Sequence, residues 1–311
     1  MTHAREIDRI VAAALDEDAP WGDLTSEVLI PTDATATAEL VARVPGVLSG
    51  VEVFAAAFRL TDPRIVVERR AADGDPFEVG AVLARVHGPA RGILTAERVA
   101  LNVVQRMSGV AALTARYVAA VDGTRARIVD TRKTTPGLRS LERQAVRDGG
   151  GHNHRRSLSD AVMAKDNHLA VLTAGGRDLA EALRQARERM PHTAHLEVEV
   201  DRLDQVDAVL AGGADTVMLD NFSVADLREG VERIAGRAVV EASGGVSLDT
   251  VGAIASTGVD VISVGALTHS ARALDLGLDV VIEAATAREA ASGAATPASA
   301  EATPATAQVT P

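Results

Sequence analysis

Six short apolar runs recur after Arg125: ARIVDT (126–131), AVMAKD (161–166), HLEVEV (195–200), TVMLDN (216–221), AVVEAS (238–243) and VISVGA (261–266). Helical segments separate several of them. Strands alternating with helices imply βα units and a parallel sheet, and six such units in one domain favour a barrel over an open sheet. In a parallel α/β barrel the chemistry sits at the C-terminal ends of the strands. Those ends are unusually polar here. Asp130-Thr131-Arg132-Lys133 closes the first, Lys165-Asp166-Asn167-His168 the second, and Glu197 and Glu199 lie in the third. Asp220-Asn221 ends the fourth, Glu241 and Ser243-Gly244-Gly245 the fifth, and Gly265 the sixth. One polar end is explained by helix capping; six on one rim are not. His195, Glu197 and Glu199 alternate with Leu196, Val198 and Val200, so the charged residues share one strand face. In a barrel that face is expected to enter the polar mouth.

Upstream, residues 4–17 have the apolar spacing of an amphipathic helix. TATAELVARV and VLSGVEV, within 35–53, read as short β-prone runs broken at Pro45-Gly46 and Gly50. Residues 64–69 and 81–87 add further strands, and Glu97 to Val121 is a long helical stretch interrupted near Gly109. From about Glu289 the chain is Ala, Thr, Ser, Pro and Glu with few large apolar residues, too little to offset ordering entropy; this tail is predicted to be disordered.

The composition narrows the function. The 311 residues carry a net charge of −11 with only 2% aromatics, a poor basis for binding nucleic acid. No cysteine is present, so disulfides, thiolate metal sites and cysteine nucleophiles are excluded. No apolar run reaches a membrane span, and MTHAREIDRI lacks an apolar signal core, so a cytoplasmic protein is expected. GxGxxG after a first strand and GxxxxGK[ST] are both missing. Local charge opposes the global charge: between Arg125 and Arg156 nine basic residues face three acidic ones. This suggests a pocket for a multiply charged anion, since Arg suits planar carboxylates and phosphates. Glu199 and Asp220 could then hold Mg²⁺ or sugar hydroxyls. Of 32 basic residues only Lys133 and Lys165 are lysine, in a chain where Arg otherwise prevails. Both lie in polar strings, which points to places where a compact ammonium is needed. GGGHNHRR (149–156) offers His152 and His154 to a metal, but its arginines would repel a cation, and the glycines better fit a loop that approaches an anion. SGG (243–245) and VGA (264–266) suit close backbone approach to phosphate.

These strings resemble quinolinate phosphoribosyltransferase, also called carboxylating nicotinate-nucleotide pyrophosphorylase. EDAPWGDLT (17–25), ERVALNVVQRMSG (97–109), DTRKTTPGLR (130–139), GGGHNHR (149–155), MAKDNH (163–168), EVEV (197–200), LDN (219–221), EASGG (241–245) and VGALTHSARALDLGLD (264–279) carry the resemblance, over nearly everything but the tail. Ala112 and Ala164 replace a common Thr and Ile. The resemblance implies an α/β, type II phosphoribosyltransferase fold: an N-terminal α/β sandwich (1–110, joined by a returning segment near 271–285) and a C-terminal α/β barrel of about seven strands (111–270), with the tail at 286–311. The implied reaction joins quinolinate to phosphoribosyl pyrophosphate with Mg²⁺, giving nicotinate mononucleotide, pyrophosphate and CO₂ in de novo NAD synthesis. By the same resemblance Arg98, Arg132, His154, Arg155 and Lys165 bind quinolinate, with Thr131 in the same string. Glu199 and Asp220 take the ribose hydroxyls and the metal, and Lys133 meets pyrophosphate. Ser243, Gly244 and Gly245 with Val264, Gly265 and Ala266 cradle the 5′-phosphate. Lys133, Lys165, Glu199 and Asp220 form the catalytic set. The resemblance also implies a homodimer with shared active sites, or a hexamer built from it. A same-fold paralogue with another acceptor, a non-catalytic binding homologue and a Schiff-base aldolase barrel are the alternatives.

Overall fold

The β1 strand (Thr35–Ala42) alternates as a half-buried strand should, with Ala36, Ala38 and Leu40 fully buried and Thr37 and Glu39 on the wetter face. In the computed structural model, which describes residues 4–283, β1 is central in a four-stranded antiparallel sheet. Its neighbours are β5 (Val82–Pro89), β3 (Val66–Arg69) beyond it, and on the other side β12 (Leu276–Glu283), which returns from the far end of the chain. A two-residue ladder joins β2 (Gly46–Val47) and β4 (Pro76–Phe77). Helices Val51–Thr61 and Ala90–Ala120 lie against the sheet, and Ala4–Asp18 packs on them. The tail expected from 286 onward lies outside the described residues.

Two local expectations are corrected. VEV (51–53) opens a helix rather than continuing a strand. Gly50 turns the chain at φ 95°, and Asp73 Oδ1 accepts the amides of Gly50 (2.8 Å) and Val51 (2.9 Å), a remote cap for the first turn. Val53, Phe54, Ala57 and Phe58 then bury one helix face. Nor does Gly109 interrupt the long helix, which runs unbroken from Ala90 to Ala120, through residue 110, and packs against both sheets. Gly109 is there for close approach: a Cβ would lie 2.0 Å from the backbone oxygen of Arg272. Gly109→Ala is therefore expected to destabilise the protein by about 1–3 kcal/mol by forcing helix and 271–273 segment apart. Denaturant unfolding checks this; an unchanged midpoint would mean that the segment yields freely.

Beyond the helix come β6 (Arg127–Val129), β7 (Val162–Ala164), β8 (Leu196–Val200), β9 (Thr216–Asp220), β10 (Val239–Ser243) and β11 (Val261–Ser263), all parallel where paired. The order is β6-β11-β10-β9-β8-β7. β6 pairs with β11, so the first strand meets the last, and the ladder stays open only between β6 and β7. His152 bridges Val129 in parallel on the other side of β6 and supplies a seventh, one-residue stave before β7. Leu196, Val198 and Val200 face the helices, and Glu197 and Glu199 face the interior. No helix among the described residues is long and apolar enough to cross a membrane.

Candidate active site

Asp130, fully buried just past β6, organises the rim. Its carboxylate accepts the His154 amide at 2.7 Å, Asn153 Nδ2 at 2.6 Å and Arg143 Nη1 at 3.2 Å. Burial pushes its pKa up, and the Arg143 guanidinium opposes this. The loop Asn153–Arg155 is thus tied to the end of β6. Gly149 and Gly151 serve the long helix rather than a ligand: Cβ atoms there would meet Ala111 O at 2.3 Å and Thr114 Cγ2 at 2.7 Å.

His154 turns its ring into the barrel, with Nε2 3.2 Å from Glu197 Oε2 and 3.3 Å from Glu241 Oε2. Both glutamates are 3% exposed. Burial opposes a charged imidazole, but hydrogen bonds to the two carboxylates overcome it and push the His154 pKa up to about 10. The Arg155 amide donates to Nδ1 at 2.7 Å, which favours the neutral ring and works against the two carboxylates. Burial, with Glu241 adding repulsion, raises Glu197. The ligand-type atoms of these three residues lie within 4.8 Å of one another. His152 does not join them; it is exposed. The charged face of β8 is graded by depth rather than wholly in the mouth. His195 Nε2 pairs with Thr216 Oγ1 at 2.8 Å, Glu197 is buried in the barrel, and Glu199 alone pairs with a rim lysine.

The sign of the pH effect follows. His154 has a folded pKa of about 10, above the ordinary 6.5, so its contribution is complete below pH 6.5 and is lost as pH rises through about 10. Unfolding free energy measured from pH 7 to 10 should fall more steeply for the wild type than for a Glu197→Gln/Glu241→Gln protein. Parallel curves would contradict a charged His154.

The other rim residues assemble in groups. Lys165 caps helix Asp166–Leu172 and pairs its Nζ with Glu199 Oε2. Arg155 donates to Ala161 O (3.1 Å) and to Met163 Sδ (3.4 Å); burial first, then the neighbouring Arg132 charge, lowers its pKa. Two cations therefore share one part of the mouth, with the exposed Arg132 side chain hydrogen-bonded to no described residue. Thr131 Oγ1 accepts the Lys133 amide at 3.1 Å. Lys133 lies over Gly265: a Cβ there would be 3.1 Å from its Cδ.

Asp220 is in register with Ser243, and its Oδ2 accepts Asn221 Nδ2 at 2.7 Å. Asn221 is left-handed at φ 58°, and Gly244 must be glycine: at φ 84°, a Cβ would lie 2.2 Å from Asn221 Oδ1. Around Gly245 that position is open space. The amides of Gly244, Gly245, Gly265 and Ala266 donate to no acceptor among the described residues. Val264 is anchored through its amide to Val129 O at 2.9 Å. Arg98 stands apart on the long helix, exposed, and bonded to none of the rim residues among the described residues.

The sequence pattern puts Asp130 and Glu241 at strand ends and Glu197 on the charged face of the third strand, none with a role of its own; the structure makes all three the barrel's buried anchors. Strand alternation shows the shared face of Glu197 and Glu199 but not their different depths.

Comparison with known proteins agrees with this architecture. Residues 23–108 match the N-terminal domain model of quinolinate phosphoribosyl transferase and residues 110–279 its C-terminal domain model. The chain is 44% identical over 278 residues to the nicotinate-nucleotide pyrophosphorylase [carboxylating] of Mycobacterium leprae, covering 87% of this chain and 95% of that protein. It is 41% identical over 266 residues to the probable enzyme of that name in Bacillus subtilis, covering 86% and 90%. Among solved structures, NadC from Streptococcus pyogenes superposes with a TM-score of 0.86 at 38% identity, covering 91% of this chain and 99% of that one. The nicotinate-nucleotide pyrophosphorylase from Francisella tularensis gives 0.84 at 36%, covering 90% and 98%. By its two domains, its rim of strand-end charges and its likeness to these proteins over most of its length, the chain belongs to the quinolinate phosphoribosyltransferase family.

Proposed function

We propose that the barrel mouth binds quinolinate and phosphoribosyl pyrophosphate together and makes nicotinate mononucleotide, pyrophosphate and CO₂. The observation that carries this is the convergence, on one rim, of Arg132, Arg155 and Lys165 with two acids and a row of undonated backbone amides. Quinolinate is a planar dianion, and three cations offset charges that a partly desolvated site would otherwise reject. The quinolinate ring nitrogen attacks the anomeric carbon of the donor and pyrophosphate departs. Glu199 and Asp220 face that carbon's ribose hydroxyls and stabilise its developing positive charge. Lys133 takes the pyrophosphate, and the amides at Gly244, Gly245, Gly265 and Ala266 take the 5′-phosphate. Once bonded, the ring nitrogen is a pyridinium whose positive charge stabilises the in-plane electron pair left on C2 when the 2-carboxylate leaves as CO₂; that pair then takes up a proton. No protein nucleophile is needed.

Glu199 and Asp220 offer only oxygen donors, the chemistry that a hard cation requires. Mg²⁺ held there with the donor's pyrophosphate would neutralise charge on the leaving group.

We also assign the working unit as a homodimer. Arg98 belongs with the quinolinate-binding cations yet is bonded to no rim residue of its own chain among the described residues. The segment holding Trp21 and helix Leu24–Leu29 exposes Trp21, Leu24, Val28 and Leu29, an apolar patch suited to a second copy. We place the enzyme in the cytoplasm, in keeping with its likeness to the bacterial enzymes named above.

A panel of pyridine acids tests the acceptor. Pyrophosphate release with quinolinate, and none with nicotinate or picolinate, is the expected result. Preference for any monoacid would make the chain a same-fold paralogue.

A further inference from the structure

We propose that Arg106, Glu142 and Thr268 form a clamp that sets the backbone of Lys133, and through it the Lys133 ammonium, for the pyrophosphate end of the donor; this rests on the reading of Lys133 given above. None of the three belongs to the rim set; Glu142 and Thr268 bond the loop that carries Lys133, and Arg106 joins the two.

Glu142, on helix Arg139–Asp148, is fully buried. Its Oε1 accepts Arg106 Nε (3.1 Å), Arg106 Nη2 (2.7 Å) and Thr135 Oγ1 (2.8 Å), and its Oε2 accepts the Thr135 amide (3.0 Å). Arg106, on the long helix, also donates to Ala271 O at 2.6 Å and to Thr268 O. Thr268, fully buried after β11, returns its Oγ1 to Lys133 O at 2.7 Å. The circuit is closed: Lys133 to Thr268, Thr268 to Arg106, Arg106 to Glu142, Glu142 to Thr135.

The loop needs such a clamp. Its remaining bonds are mostly local, as from the Lys133 amide to Thr131 Oγ1 and from the Thr134 amide to Arg132 O at 2.9 Å. Pro136 and Gly137 follow at once, and the Lys133 ammonium has no ion-pair partner among the described residues. Its position therefore depends on its backbone, and the clamp holds that backbone at residues 133 and 135. A buried Arg–carboxylate pair is weak evidence for stability, because an apolar pair of similar volume often serves as well. An apolar pair could not accept the Thr135 amide or hold the Thr268 carbonyl. We therefore assign these as positioning residues.

Binding of inorganic pyrophosphate, measured by calorimetry in the presence of Mg²⁺, tests the proposal in a double-mutant cycle. Thr268→Val, which removes one hydroxyl and spares the buried ion pair, should weaken pyrophosphate binding by about tenfold, the scale of one lost hydrogen bond. In a Lys133→Ala background the same change should cost less than about twofold, because the residue it acts through is gone. Glu142→Ala, if it folds, should show the same pattern. Equal losses in both backgrounds would overturn the clamp while leaving Lys133 in the site. Unchanged pyrophosphate binding by Lys133→Ala alone would overturn the reading of Lys133, and the clamp with it.

Discussion

Lys165→Arg is expected to lower kcat/KM by about 100-fold or more although the positive charge is kept, the loss that a misplacement of about 1 Å produces in a positioned site. Lys165 sits where β7 gives way to helix Asp166–Leu172, and its Nζ meets Glu199 Oε2. An ammonium is a point charge with three donors, so it holds one carboxylate and still faces a substrate carboxylate. A guanidinium is longer, and its fork would take Glu199 in a two-point grip, drawing it from the ribose hydroxyls proposed for it and crowding the quinolinate. The chain has 30 arginines and two lysines, so its composition favours Arg wherever Arg serves. Steady-state kinetics on a variant with unchanged melting temperature decides; near-normal turnover would show that any cation suffices at 165.

Arg98→Ala and Lys165→Ala are each expected to be nearly inactive, yet unfolded together and refolded they should recover about a quarter of wild-type activity, from the statistics of a two-site dimer. Half of the random dimers are mixed, and each mixed dimer holds one site built from an intact Arg98 and an intact Lys165. Arg98 is exposed on the long helix and bonded to no rim residue of its own chain, while Arg132, Arg155 and Lys165 line the barrel mouth. A dicarboxylate is best held by charge on more than one side, and in the proposed dimer a partner's helix over the mouth would also exclude water. Proven heterodimers as inactive as the separate mutants would show that Arg98 does not act across the interface.

The rhythm of apolar runs made the barrel strands legible, because a strand buried on one face by helices needs short β-branched stretches at regular spacing. Barrel closure was not written in any run: it rests on β6 meeting β11, residues more than a hundred apart. Val51–Val53 looked like a strand because β-branched residues prefer one; the cap from Asp73, far off in sequence, overrode that preference. Gly109 looked like a break because glycine weakens helices, whereas packing against Arg272 is what requires it. In the site, the rim charges were legible as polar strand ends. The buried acids were not, since Glu197 and Glu199 share a face and differ only in depth. Only the fold reveals that His154 reaches down to meet Glu197 and Glu241.

The central claim is that this mouth both forms the nucleotide bond and releases the 2-carboxylate. Quinolinate carrying ¹³C in its 2-carboxyl group, incubated with the full chain, phosphoribosyl pyrophosphate and Mg²⁺, tests it by mass spectrometry of products. The account predicts unlabelled nicotinate mononucleotide and labelled CO₂ in equal amounts, with one pyrophosphate for each. Labelled CO₂ without nucleotide, a nucleotide that keeps the label, or no turnover by the folded protein would contradict it.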